Sequence, residues 1–278
     1  MSTSSRRSRQ TASGSQPRVS RSAYGVPGTG DWKRKKSLGQ HFLEDRNILA
    51  LEAKLANPEH KTVLEIGPGD GRLTEQLLLL KPEKLIAVEK DARFAALLKQ
   101  KFAGRADVEI VEADFLEFEP PKFDVAVGNI PYYISSDIVF RLAGMKFSHA
   151  VLMVQKEFAQ KMAARPGEKN YGRLSVTSQL AFRVTLERTV LRHLFRPVPE
   201  VDSAIIILSP TGLRPSQFQE NVIRWLFQHK NKTVRNALTH SKMFDAAELE
   251  KLGGMAGRRV RTLSKEECLA IARALEKI

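Results

Sequence analysis

Between residues 62 and 164 short apolar runs alternate with longer amphipathic ones, and this alternation constrains the fold more than any other feature of the chain. "TVLEIG" (62–67) reads as a buried strand, followed by strands at "KLIAVEK" (84–90), "VEIVEAD" (108–114), "FDVAVGN" (123–129) and "HAVLMVQ" (149–155). Between and after them, "RLTEQLLLL" (72–80), "DARFAALLKQKF" (91–102) and the stretches 135–142 and 156–164 read as helices. Strands that take turns with helices predict an α/β fold with a doubly wound, mostly parallel sheet. Ligands in such sheets lie outside the carboxyl ends of the strands. The residues that close each strand are therefore the candidates for chemistry. "FRVTLERTV" (182–190) and "VDSAIIIL" (201–208) are β-rich additions. Beyond Pro210 the pattern changes: Phe218, Val222 and Leu226 recur at helical spacing, and Ser264 with Glu267 forms a capping box. The tail, 211–278, is expected to be a small all-helical domain, and the body, 37–210, to be the α/β domain.

Charge separates these parts. Residues 1–36 hold nine Lys/Arg and one Asp, residues 211–278 hold 13 Lys/Arg and seven Asp/Glu, and 37–210 hold 23 of each sign. A neutral body with basic ends suits a polyanionic partner, and nucleic acid is the expected one. In the tail, Lys230, Lys232 and Arg235 follow the 218–227 helix closely enough to share a surface and are the candidate phosphate contacts. Residues 1–36 are expected to form a basic arm whose first 30 residues have almost nothing to bury and are expected to be disordered, as an RNA-binding arm or a targeting segment. No apolar run approaches the ~20 residues of a membrane span. The lone cysteine, Cys268, excludes an internal disulfide and a thiolate zinc site, and the six histidines show no ligand spacing. No metal is expected.

The strand ends carry the chemistry. The first closes on Gly67-Pro68-Gly69-Asp70-Gly71, a G-x-G-x-G loop that differs from the G-x-G-x-x-G of dinucleotide sites and lacks the Lys-Ser/Thr of a P-loop. Alone it is equally a tight βα turn. The second strand closes on Glu89, placed to accept from both hydroxyls of a ribose, or to be a solvated residue at a helix start. The third closes on Asp114-Phe115, an acceptor beside an aromatic that suits an adenine, or a helix cap. Together they describe a nucleoside site with no basic phosphate binder, and S-adenosylmethionine fits it.

The fourth strand delivers Asn129-Ile130-Pro131-Tyr132 to the same rim. The exocyclic amine of adenine is a poor nucleophile because its lone pair is conjugated with the ring. A side-chain amide oxygen and a turn carbonyl that accept its two N–H groups draw the nitrogen toward sp³ geometry and aim the lone pair at a methyl donor. Tyr132 is placed to stack on a flipped base.

The chain resembles the small-subunit ribosomal RNA adenine N6,N6-dimethyltransferase family, the dimethyladenosine transferases, and is closer to archaeal and eukaryotic members in "FQHKNKTVRNAL" (227–238). The resemblance runs from about residue 35 to the C-terminus. It is carried by "LGQHFLEDRNIL" (38–49), "VLEIGPGDGRLTE" (63–75), "VEKD" (88–91), "EADFLEF" (112–118), "GNIPYYISSDIVFRL" (128–142), "VLMVQKEFAQKM" (151–162), "NYGRLSV" (170–176) and "FRPVPEVDSAII" (195–206). It implies a Rossmann-like methyltransferase domain with a helical C-terminal domain. It implies that Gln40, His41 and Leu43 contact the cofactor, that Gly67 and Gly69 face its methionine part, Glu89 its ribose and Asp114 its adenine. His41 stands where bacterial members often have Asn. Asn129 and Tyr132 would act on the target amine, with Phe195 against the other face of the base. The implied activity is dimethylation of two adjacent adenosines in the 3′-terminal hairpin loop of small-subunit rRNA, within assembling subunits, by a cytoplasmic monomer. Rival readings are a large-subunit rRNA methyltransferase, an assembly factor that needs no catalysis, and a DNA adenine methyltransferase.

Overall fold

A computed structural model describes residues 41–276. The expectations for the basic arm, 1–36, and for Gln40 lie outside these residues. After a two-residue strand, β1 (Phe42–Leu43), and a helix, α1 (Arg46–Ala56), the chain alternates as expected. The elements are β2 (Thr62–Ile66), α2 (Arg72–Leu79), β3 (Lys84–Glu89), α3 (Ala92–Lys101), β4 (Val108–Glu112), β5 (Val125–Asn129), α4 (Ser135–Ala143), β6 (His149–Gln155) and α5 (Lys156–Ala163). Next come α6 (Arg173–Ala181), β7 (Phe182–Val190), β8 (Phe195–Arg196) and β9 (Ser203–Pro210). Seven strands form one sheet in the order β4-β3-β2-β5-β6-β9-β7. β4, β3, β2, β5 and β6 are parallel, while β9 runs antiparallel to both β6 and β7. β8 pairs antiparallel with β1, Leu43 opposite Phe195, which straps the start of the body to the segment before β9.

Strand order reverses between β2 and β5, where the chain winds outward in both directions. A doubly wound sheet opens its ligand crevice at that point. The two-residue side-chain period decides what reaches it. Even positions of β2 and β5, Leu64, Ile66 and Ala126, pack under α4 with Ile138, Val139 and Leu142. Odd positions, Val63, Val125 and Val127, pack under α1 and α2 with Leu49, Ala53, Leu73 and Leu77. Glu65 and Asn129 continue the odd series, so both fall on the α1–α2 face. Gly128 lies where β5 crosses closest to β2: a Cβ there would sit 2.5 Å from the Ile66 carbonyl oxygen.

Helices α1 and α6 fall in stretches where the sequence signals no element. In α1, Asp45 caps the start by accepting from the N–H groups of Asn47 and Ile48, and Asn57 closes the end in a left-handed conformation. In α6 the buried face carries serines. The Ser178 hydroxyl donates to the Leu174 carbonyl at 2.6 Å and the Ser175 hydroxyl to the Lys161 carbonyl at 2.6 Å.

Beyond β9 lie α7 (Gln217–Gln228), α8 (Val234–Ser241), α9 (Ala246–Glu250) and α10 (Lys265–Leu275). Ser264 accepts from the Glu267 N–H and Glu267 from the Ser264 N–H, as the sequence pattern foretells. Val222, Ile223, Leu226, Leu238, Ile271 and Ala272 form the helical core, which also takes in Tyr171, Val176 and Leu180 of the body. The Tyr171 hydroxyl donates to the Leu263 carbonyl at 2.6 Å, and Lys265 Nζ donates to the Gln179 carbonyl at 2.9 Å.

Candidate active site

The carboxyl ends of β2, β3 and β5, with β1 and β8 along one wall, enclose a cavity. Among the described residues, His41, Leu43, Gly67, Gly69, Glu89, Asp114, Asn129, Tyr132 and Phe195 all line it. Each candidate cofactor or amine residue that falls within the described chain is thus brought to one place.

The glycine loop leaves β2 with Gly67 at φ +68°, a left-handed conformation that costs other residues strain, and no atom beyond its chain neighbours lies within 4 Å of the position its Cβ would take. The backbone is open to a ligand there. Glu89, 7% exposed, ties this loop to the next strand. One carboxylate oxygen accepts from the Gly69 N–H at 3.0 Å and the other from the Asp91 N–H at 2.8 Å. Burial raises its pKa, against these two backbone bonds, which favour the charged form. Each oxygen keeps a lone pair for a ribose hydroxyl.

Asp114 stands two residues past β4. Its Oδ1 accepts from the Leu116 N–H at 2.9 Å and its Oδ2 from Lys90 Nζ at 2.5 Å. The hydrogen bond from Lys90 holds the Asp114 carboxyl below the usual range. No helix follows Asp114 directly, so it is not a helix cap; its main-chain bond closes a turn. Phe115 beside it is buried, with the Arg141 guanidinium 5.7 Å from its ring centre.

Two cations line the cavity, Arg72 and Lys90, which refines the expectation of a site without basic groups. Both are held by carboxylates: Arg72 Nε lies 2.9 Å from Asp70 Oδ2, and Lys90 pairs with Asp114. Glu65, fully buried on β2, adds a further acid. Its Oε2 accepts from the Thr74 hydroxyl at 2.7 Å, while Oε1 has no hydrogen-bond partner among the described residues. Burial pushes its pKa up to about 8. Asp70, Glu89, Asp91 and Asp114 outnumber the two cations, so the cavity favours a positively charged ligand. The open glycine backbone, the orphaned Glu65 oxygen and this acidic lining fit S-adenosylmethionine, whose sulfonium and α-amine are cationic. The residues that would hold it are Gly67 and Gly69 along the methionine part, Glu89 at the ribose and Asp114 at the adenine.

Asn129 ends β5 at the opposite lip. Its amide nitrogen donates to both carboxylate oxygens of Glu52, at 2.7 and 2.9 Å. That orientation follows from the network when Glu52 is ionised, because the reverse would then set the amide oxygen against two carboxylate oxygens. Glu52 is fully buried in the middle of α1. It was not among the candidates from the sequence, and only the fold shows that it sits inside the buried stripe Ile48, Leu49, Ala53, Ala56. The Tyr132 hydroxyl is 2.7 Å from the Ser203 hydroxyl of β9, and its ring stacks on His41 at 6.0 Å and 21°. His41 Nδ1 meets the Pro197 carbonyl at 2.7 Å. Phe195 is 3% exposed, held behind the wall by its pairing with Leu43. Tyr133, next along, is 60% exposed at the mouth.

The candidate phosphate contacts stand apart from this cavity. Lys230 is half-buried and donates to the Tyr171 carbonyl at 3.3 Å. Lys232 contacts the His240 ring nitrogen, whose pKa that ammonium lowers, and Arg235 is exposed on α8.

Residues 32–277 match the family model for ribosomal RNA adenine dimethylase. The chain is 45% identical over 225 residues to the "probable ribosomal RNA small subunit methyltransferase A" of Methanopyrus kandleri, an alignment that covers 78% of each protein. A solved dimethyladenosine transferase from Plasmodium falciparum superposes with a TM-score of 0.75 at 32% identity, covering 83% of this chain and 95% of that one. The 23S rRNA methyltransferase ErmE superposes with a TM-score of 0.65, also at 32% identity, covering 85% of this chain and 100% of that one. The cavity, its acidic lining and these likenesses agree: the chain belongs to the ribosomal RNA adenine dimethylase family and is an S-adenosylmethionine-dependent rRNA adenine dimethyltransferase.

Proposed function

We propose that the chain dimethylates the N6 amines of two adjacent adenosines in the 3′-terminal hairpin loop of small-subunit rRNA, acting as a cytoplasmic monomer on assembling subunits. The observation that carries the chemistry is the Asn129 amide at the end of β5, its nitrogen engaged by Glu52 and its oxygen left for the cavity. S-adenosylmethionine, when bound, supplies a methyl group on a positively charged sulfur. Asn129 Oδ1 accepts one N–H of the target amine. The Pro131 carbonyl already receives the Ile134 N–H and the Ser135 hydroxyl, so the Ile130 carbonyl is the main-chain partner for the other. With both hydrogens held in the first transfer, and the one that remains held in the second, the nitrogen lone pair is drawn out of conjugation toward the methyl carbon. The N–C bond forms as the S–C bond breaks, and the amine proton departs to water. Tyr132, anchored through Ser203, and Phe195 wall the base. No helix among the described residues is long and apolar enough to cross a membrane.

The small-subunit target is supported by the name of the Methanopyrus kandleri relative, and the stretch "FQHKNKTVRNAL" (227–238) in the helical tail argues against the large-subunit alternative. The test offers small-subunit particles, large-subunit particles and duplex DNA in competition for a limiting amount of labelled cofactor. Methyl transfer to small-subunit particles alone is expected. Transfer to either competitor at a comparable rate would overturn the assignment.

The division of labour proposed is an α/β domain over 37–210 that holds cofactor and base, and a helical domain over 211–278 that, with the basic arm 1–36, grips phosphates. Neutralising Lys230, Lys232 and Arg235 together is expected to weaken binding to assembling small subunits. It should flatten the slope of log affinity against log salt by roughly two to three, because each phosphate contact releases somewhat less than one counterion. Cofactor affinity should not change. A salt titration giving the wild-type slope would place the phosphate contacts elsewhere.

A further inference from the structure

Glu52 raises a question that the cofactor and the base do not answer. A carboxyl group with no solvent exposure, inside the apolar stripe of α1, is costly unless it is paired. Its two oxygens are turned toward one group, the Asn129 amide. A side-chain amide presents an acceptor on one end and donors on the other, and only the acceptor end can draw hydrogens from an amine. The end that faces the cavity is settled by what holds the other end.

We propose that Glu52 is a positioning residue for methyl transfer: its carboxylate takes the Asn129 NH₂ group and thereby fixes the Asn129 oxygen toward the target amine. The inference rests on the reading that Asn129 Oδ1 accepts from that amine. An ionised Glu52 only accepts hydrogen bonds, so it selects the productive amide orientation. A protonated Glu52 carries an O–H, which donates to the amide oxygen and turns the NH₂ group to the cavity, where it repels the amine hydrogens.

The surroundings make this balance sensitive to pH. Burial raises the Glu52 pKa well above its ordinary value, the Glu65 carboxyl raises it further, and the Asn129 hydrogen bond lowers it. Glu65, on β2, is the acidic neighbour on the same face of the sheet. Against α1 from α2 comes Thr74, whose hydroxyl is already given to Glu65, and from β6 comes His149, which meets the Leu55 carbonyl at 3.3 Å. Lys61 binds the Asn57 carbonyl at the far end of the helix. Ionisation favours catalysis, so the methyl-transfer rate at saturating substrates is expected to rise with pH through the Glu52 titration.

The test compares wild type, Glu52→Gln, Glu52→Leu and Asn129→Ala, measuring kcat and KM against pH with small-subunit particles, cofactor Kd by calorimetry and Tm. Glu52→Leu fills the space without a hydrogen-bond partner. It is expected to lower kcat about 10- to 100-fold, with cofactor Kd within twofold of wild type and a Tm no lower, because a buried carboxyl has been removed. Glu52→Gln keeps an acceptor but also offers donors. It is expected to recover part of that loss and to lose the pH-dependent limb assigned to Glu52. Glu65 is present in every variant, so the difference between profiles isolates Glu52. A wild-type kcat and pH profile in both Glu52 variants, with Asn129→Ala inactive, would overturn the inference and leave the role of Asn129 standing. Wild-type activity in Asn129→Ala would overturn both. If Glu52→Leu does not fold, the same decision is made on Glu52→Gln.

Discussion

Replacing Asn129 with alanine is expected to lower methyl transfer by about 10²–10³-fold while S-adenosylmethionine still binds with near wild-type affinity. The loss is that of one positioned partner of a reacting group, felt in the transition state and not in the ground state. Structure makes the separation sharp. Asn129 stands on the β5 side of the switch point with Glu52 behind it, whereas the proposed cofactor acceptors Glu89 and Asp114 close β3 and follow β4. Single-turnover rates alongside calorimetry check it. An Asn129→Ala enzyme that binds RNA and cofactor normally and still dimethylates at near wild-type rate would remove the amide from the mechanism.

The second large effect is expected at Glu89. Glu89→Ala should weaken cofactor binding by roughly 1–3 kcal/mol, about 5- to 150-fold, because ribose hydroxyls lose their acceptor. The same change releases the Gly69 N–H, which Glu89 holds at 3.0 Å, so the glycine loop loses a brace as well as the ribose a partner. The carboxylate form is the better acceptor, and burial raises the Glu89 pKa. Cofactor affinity should therefore decline on acidification at a higher pH than an ordinary glutamate would give. Calorimetry of Glu89→Ala with unchanged affinity would take this residue out of the site.

The parts of this architecture that were legible in the sequence are those where burial and pattern agree. β2, β3, β5 and β6 are apolar at almost every position because helices cover both faces, and their ends marked the cavity. The capping box at Ser264 announced α10 in the same way. Helices α1 and α6 were not legible for a shared reason: each buries polar side chains. Glu52 interrupts the apolar stripe of α1, and Ser175 and Ser178 take core positions in α6 by bonding to main-chain carbonyls. The candidate site was legible residue by residue, since Glu89, Asp114 and Asn129 each end or follow a strand. The partners that condition them were not. Lys90 on Asp114, Ser203 on Tyr132 and Glu52 on Asn129 are brought in by sheet order and helix packing, 24, 71 and 77 positions away in sequence, which no local pattern encodes. Lys230 shows the converse. As sequence it is one more cation of a basic tail, but folded it is half-buried and gives a hydrogen bond to Tyr171.

The chemistry assigned to the Asn129 lip is tested most directly by the identity of the product. Undermethylated small-subunit particles are incubated with the purified chain and S-adenosylmethionine, and the rRNA is digested to nucleosides and mapped by mass spectrometry. The expected result is N6,N6-dimethyladenosine at two adjacent positions in the 3′-terminal hairpin loop, with no other modified nucleoside formed. Methyl groups on a different atom of the base, or on a nucleotide outside that loop, would contradict an amine held by the Asn129 oxygen and a main-chain carbonyl.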